Sequence, residues 1–273
     1  MSRFERAWEL VGQSFAVLRK DKKLILFPIL SALSTIAIAA AYVVPLFHLH
    51  IVSQYAHGGG VAPSTYAWLF LWYCSNYFAM IFFNCALASC AQTRFSGGEP
   101  TIGGGMGRAA QRLGAILMWA IVSATVGVIL RAIEQRSRTL GRIVASLIGI
   151  AWAVATYFIV PVLVFENQDV FSSIRRSSEL LRKTWGEGIS AGLGFGLPQF
   201  LLSIPGILLI VLGGRIHPAA IAAGVLYMLL VTAVMSAVRG VFTVALYRFA
   251  TQGEAPAGFS PVVLNGAFVN LKE

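Results

Sequence analysis

One arginine lies where a charge is costly. Arg239 sits inside a long apolar stretch, nine residues before Arg248 and hence about 13 Å deeper along a helix. A guanidinium at that depth has a short list of uses. It can snorkel to the interface, pair with Glu166 or Glu187 at the ends of neighbouring apolar stretches, donate to Asn76 or Asn84, or hold a lipid phosphate. The other chemistry-bearing residues point away from catalysis. All 11 acids fall in termini, loops or helix ends, which argues against an intramembrane proton relay or carboxylate cation site. The H-E-x-x-H zinc pattern and the P-loop do not occur. His48, His50 and His57 share one segment without nearby Cys, Asp or Glu, so neither a metal site nor any cofactor is expected. Cys74, Cys85 and Cys90 fall in one apolar stretch and read as small packing residues.

The elements that hold Arg239 are legible from hydropathy. Apolar runs span Leu24 to Phe47, Tyr66 to Ala91, Leu113 to Leu130, Ile143 to Phe165, Gly188 to Leu212 and Ala219 to Leu246. Each has the roughly 17–25 residues that a helix needs to cross a bilayer, with tilt absorbing the excess. The runs are continuous rather than alternating, so helices are expected and not a barrel. With 57% hydrophobic and 12% charged residues, the reading is an all-α integral membrane protein of six spans. It is taken as a single membrane domain over 1–273, with an amphipathic segment at 1–23, the bundle at 24–250 and a cytoplasmic tail at 251–273. The third run is the weakest, since it stops at Arg131.

Charge orients the bundle. Basic residues before the first run, at Arg94, Arg108 and Arg112, between Arg175 and Lys183, and at Arg248 and Lys272 would all be cytoplasmic, with both termini on that side of a prokaryotic inner membrane. The formal charge of +10 then implies contact with anionic lipid headgroups rather than nucleic acid. Arg131, Arg136, Arg138 and Arg142 break the rule on the outer side. Either a helical hairpin projects there or the first helix dictates orientation and the later loop follows.

Two segments have helical amphipathic spacing. Phe4, Trp8, Val11, Phe15 and Leu18 share one face, with Arg19 and Lys20 at the exit. Phe171, Ile174, Leu181 and Trp185 share another, with Arg175, Arg176, Arg182 and Lys183 on the wet side. Such helices lie in the headgroup plane or pack on the ends of the spans. Ser14, Val17, Leu18, Arg19, Lys20 and Ser177, Leu180, Leu181, Arg182, Lys183 have identical spacing, which suggests three repeats of a cytoplasmic helix followed by a membrane hairpin. Gly188, Gly192 and Gly196 form a stripe in the fifth run and predict close helix packing, while Pro198 and Pro205 predict a kink.

The run Arg3-Phe4-Glu5-Arg6-Ala7-Trp8, with Leu18 to Lys22 and Phe27-Pro28, and the run Val160 to Glu166, with Arg176-Ser177 and Leu180 to Gly186, resemble a family of uncharacterised prokaryotic six-span membrane proteins. The second run is more loosely similar to the membrane domain attached to some glycerophosphodiester phosphodiesterases. That resemblance implies a fold and a membrane location and carries over no catalytic residue. The functional expectation is a non-enzymatic protein that organises lipids, or an accessory subunit with a membrane-protein partner or in a homo-oligomer. The alternative is a transporter or flippase-like carrier of an amphiphile.

Overall fold

The structure, a computed structural model, describes residues 3–48, 63–136, 140–184 and 196–268. Among these residues every regular element is helical. In order they are α1 (Arg3–Lys20), a 3₁₀ turn (Lys22–Ile25), α2 (Leu26–His48), α3 (Pro63–Phe95), α4 (Ile102–Ala110) and α5 (Leu113–Arg136). There follow α6 (Leu140–Ala155), α7 (Ile159–Phe165), α8 (Val170–Thr184), α9 (Gly196–Ile216), α10 (Pro218–Gln252) and α11 (Pro261–Phe268). Among the described residues six segments are long and apolar enough to cross a membrane: Lys22–Val43, Ala67–Phe95, Leu113–Glu134, Leu140–Phe165, Gly196–Gly213 and Pro218–Gln252. The architecture is that of an all-α, multi-pass membrane protein.

The third and fourth spans differ from expectation in an instructive way. Helix α5 does not stop at Arg131 but continues to Arg136, and Arg131 donates to the Tyr73 hydroxyl. Helix α6 resumes at Leu140, and a Cβ on Gly141 would lie 2.5 Å from the Ile133 carbonyl oxygen, so glycine lets the two helices close into a hairpin. The basic segment is therefore helical on both sides of residues 137–139. The fourth span is broken rather than continuous. Pro161 has no N–H to offer the Tyr157 carbonyl and its ring crowds that turn, so α6 ends at Ala155 and α7 begins at Ile159. The freed Phe158 N–H donates instead to the Ser177 hydroxyl at 3.0 Å.

Helices α3 and α10 are the buried axis. Cys85 to Ala88 on α3 meet Val238, Val241 and Phe242 on α10, all at most 2% exposed. Cys74, Cys85 and Cys90 are free and buried, as their reading as packing residues requires. The short helices α1, α4, α8 and α11 gather at the end of the bundle where Arg94, Arg112, Glu166 and Arg248 lie. Arg112 ties this end together: its Nε donates to Leu163 O at 2.8 Å, another N–H reaches the Asn167 side chain, and Nη2 donates to Gln168 O at 2.9 Å. Asn167, held at φ 52°, is thereby fixed in the turn from α7 to α8. Asp169 begins α8 by accepting N–H groups of Phe171 and Ser172, both at 3.1 Å. These donors, the Ser172 side chain foremost, hold its carboxyl below the ordinary carboxylate range.

Burial shows which residues of the two amphipathic segments face the bundle. On α1 the buried stripe is Leu10, Val11, Ser14, Val17 and Leu18, packed on α10 and α11, whereas Trp8 and Phe15 are 41% and 48% exposed. On α8 the buried residues are Val170, Ser173, Ser177, Leu180 and Leu181, and Phe171 is 69% exposed; Trp185 lies outside the described residues. Both helices pack on the ends of the spans. The physical reason is the same in each. Ser14 and Ser173 satisfy themselves by donating to Leu10 O and Asp169 O, and Ser177 is satisfied by Phe158, so three serines behave as core residues. The segment after residue 251 is likewise packed: Phe259, Val263 and Leu264 are buried, and the rings of Phe95 and Phe259 lie 5.9 Å apart.

Of the glycine stripe, one residue is described. Gly188 and Gly192 lie outside the described residues, and a Cβ on Gly196 would meet open space. Helices α9 and α10 touch at Gly206, Gly213 and Gly224, where a Cβ on Gly224 would sit 2.9 Å from the Gly206 carbonyl oxygen. Pro198 falls in the first turn of α9, leaving Pro205 as the proline inside this helix.

Candidate functional site

Four polar residues on α10, Thr232, Ser236, Arg239 and Thr243, recur at spacings of four, three and four, which places them in one stripe. Against this stripe the break in the fourth span presents Tyr157, α3 presents Asn84, and α9 presents Gln199. Together they line a cleft of about 370 Å³ whose apolar wall is Leu87, Ala88, Val160, Pro161 and Val244. Gly240, also in the lining, lets α10 approach α3: a Cβ there would lie 2.6 Å from Leu87 Cδ2. The volume falls in the ~300–1,000 Å³ range of small-molecule sites.

Arg239 supplies the charge. Its Nη2 donates to Gln199 Oε1 at 2.8 Å, a neutral partner reached across the cleft from α9. Thr243 donates its hydroxyl to Arg239 O at 2.9 Å and shares a hydrogen bond with Tyr157. Among the described residues no carboxylate lies within ion-pair distance of Arg239. Of the residues named from sequence, the cleft brings together Arg239 and Asn84.

Glu166 is not brought there. It accepts from Arg176 Nε at 2.9 Å and 3.2 Å, from the Tyr247 hydroxyl at 2.9 Å and from Gln168 Nε2 at 3.2 Å. Tyr247 lies eight residues beyond Arg239 on α10, about 12 Å along the axis, so the expected Arg239–Glu166 pair gives way to a separate Glu166–Arg176–Tyr247 cluster. Glu187 lies outside the described residues. Asn76 donates to Trp72 O on its own helix rather than accepting from Arg239.

The remaining basic residues are spread over the helix-rich end. Arg175 pairs with Glu179 on the surface of α8 and Arg182 is exposed, while Lys183 belongs to the same helix. Arg19 and Lys20 line a separate cavity with Arg94. Sequence reasoning missed Gln199, Tyr157 and the three hydroxyls on α10. The signal for the hydroxyls was available: with Arg239 they form the only polar stripe at helical spacing in an otherwise apolar segment.

A family profile matches residues 63–259, from the start of α3 through the turn before α11. The chain belongs to DUF6159, a family of unknown function. The whole cleft falls within the family region, whereas α1 and α2 precede it. No curated protein matches the chain in sequence.

Proposed function

We propose that this chain is a non-enzymatic membrane protein that organises lipid by holding the head of an anionic amphiphile in the cleft at Arg239. One observation carries the reading. A guanidinium within an apolar span needs a counter-charge, and its hydrogen-bond partner is the neutral amide of Gln199. An anionic head entering the cleft would take over Arg239 from Gln199, replacing a hydrogen bond to a neutral amide with an ion pair in which both partners are charged. Six neutral hydroxyl and amide side chains, from Asn84, Tyr157, Gln199, Thr232, Ser236 and Thr243, surround the cation and suit the remaining oxygens of such a head. Acyl chains would leave along the flank of α9, where Phe200 and Leu201 are 59% and 44% exposed.

The basic residues gathered at the helix-rich end support a cytoplasmic orientation for that end and for both termini. Trp8 and Phe15, exposed on α1, would then meet the inner headgroup layer, with Arg19 and Lys20 beside them. A carrier of the same amphiphile is the second reading, favoured by the length of the polar stripe, since Thr232 to Thr243 covers about 16 Å along α10.

The test is Arg239→Gln, purified in mild detergent. Anionic lipid retained per folded protein should fall severalfold, with the melting temperature nearly unchanged. Unchanged lipid content would refute the reading, and a lower melting temperature with unchanged lipid would make Arg239 a structural residue.

A further inference from the structure

We propose a second anion site, independent of the cleft, where the turn after α1 meets the end of α3. Its ligand is a multiply charged phosphate group, borne by a phosphomonoester lipid head or by a free polyphosphate.

The sequence Arg19-Lys20-Asp21-Lys22-Lys23 packs four cations around one acid. The turn that carries them is rigid. Asp21 N donates to Val17 O at 3.2 Å, Leu24 N donates to Asp21 O at 3.0 Å, and Leu24 and Phe27 beneath are at most 1% exposed. Asp21 turns inward to Arg94, whose Nε lies 3.0 Å from its Oδ2, and so draws a fifth cation into the group. These residues line an open depression of about 460 Å³ with Glu99 on its wall. Five cations against two carboxylates leave three positive charges in excess.

Lys20 and Arg94 also line an adjoining cavity of about 260 Å³. Gly97 and Gly258, at φ 81° and 96°, wall this second space without side chains. Among the described residues Arg19, Lys20, Lys22 and Lys23 have no carboxylate at ion-pair distance, so their charges reinforce one another around a single depression. Such a focus of potential selects anions of high charge density, and flexible lysines adapt to phosphate as point charges. Among the described residues no aromatic ring lines either space, which favours a bare phosphate group over a nucleobase.

The site does not depend on the cleft, and its test keeps the two apart. Detergent-solubilised full-length protein is titrated with sodium pyrophosphate and, at matched ionic strength, with sodium sulfate. In parallel, the protein is placed in nanodiscs of phosphatidylcholine with or without phosphatidic acid, and the melting midpoint is followed. Pyrophosphate should raise the midpoint more than sulfate if the source is soluble, and phosphatidic acid should raise it if the source is lipid. Lys20→Gln with Lys23→Gln should weaken whichever response occurs about tenfold, since two charge-assisted contacts are removed. Arg175→Gln should leave it unchanged. Asp21→Asn should tighten it, because a negative charge is removed and Arg94 is released, an effect that a basic turn of purely structural role would not give. No response to either probe, equal responses to pyrophosphate and sulfate without a phosphatidic acid effect, or an unchanged response in the double variant would overturn the proposal.

Discussion

Gly224→Ala is the sharpest test of how the flank of the cleft is held. Helix α9, which supplies Gln199, packs along α10. A Cβ on Gly224 would lie 2.8 Å from Ile210 Cγ1, 2.9 Å from Gly206 O and 3.0 Å from Ile210 N. Two of these atoms are backbone, so no side-chain rotation relieves the contact. The helices must separate by several tenths of an ångström along this seam. Overpacking of this kind costs about 1–3 kcal/mol, which in a chain of this size corresponds to roughly 2–5 °C in melting temperature. At Gly206 the nearest atoms belong to the flexible side chains of Met228 and Tyr227, so Gly206→Ala should cost less. At Gly196 nothing lies within 4 Å, so Gly196→Ala should be neutral or slightly stabilising. The three variants are compared by thermal denaturation in one detergent. A Gly224→Ala midpoint equal to that of the parent, or equal losses at Gly196 and Gly224, would refute the packing reasoning.

Ser177→Ala should destabilise by about 1–3 kcal/mol, because it strands the buried Phe158 N–H. Ser14→Ala should be nearly neutral, since Ser14 only donates to a carbonyl of its own helix and alanine favours the helix; the pair is read by the same melting assay. Arg112→Gln should cost about 2–3 kcal/mol by releasing Leu163 O, Asn167 and Gln168 O together, and should increase proteolysis in the turn from α7 to α8.

The spans were legible because each is a continuous apolar run, and lipid leaves a helix as the only way to satisfy such a backbone. Which residues of α1 and α8 pack on the bundle was not, because Ser14, Ser173 and Ser177 are polar by type yet buried once hydrogen-bonded. Sequence cannot state whether a hydroxyl has found its acceptor. The same limit applied to Glu166: its proximity to the membrane suggested Arg239, but Arg176 and Tyr247 reach it first through the turn that Arg112 fixes. In the cleft, Arg239 and Asn84 were visible as polar outliers, whereas Gln199 depended on the pairing of α9 with α10. That pairing runs through Gly206, Gly213 and Gly224, which share no regular spacing along one helix and so give no stripe to read. Pro161 was likewise read as part of a family-like run and not as the break that exposes Tyr157.

The central claim is that a charged head, and not acyl chain alone, occupies the cleft. The most direct measurement is photocrosslinking in native membranes from a photoreactive side chain at Ser236, with Leu229, 51% exposed on the same helix, as the lipid-facing reference. Fragmentation of the adducts should locate attachment on the headgroup from position 236 and on acyl chain from position 229, and Arg239→Gln should abolish the headgroup adduct. Acyl-chain adducts from both positions, unaffected by Arg239→Gln, would contradict the account.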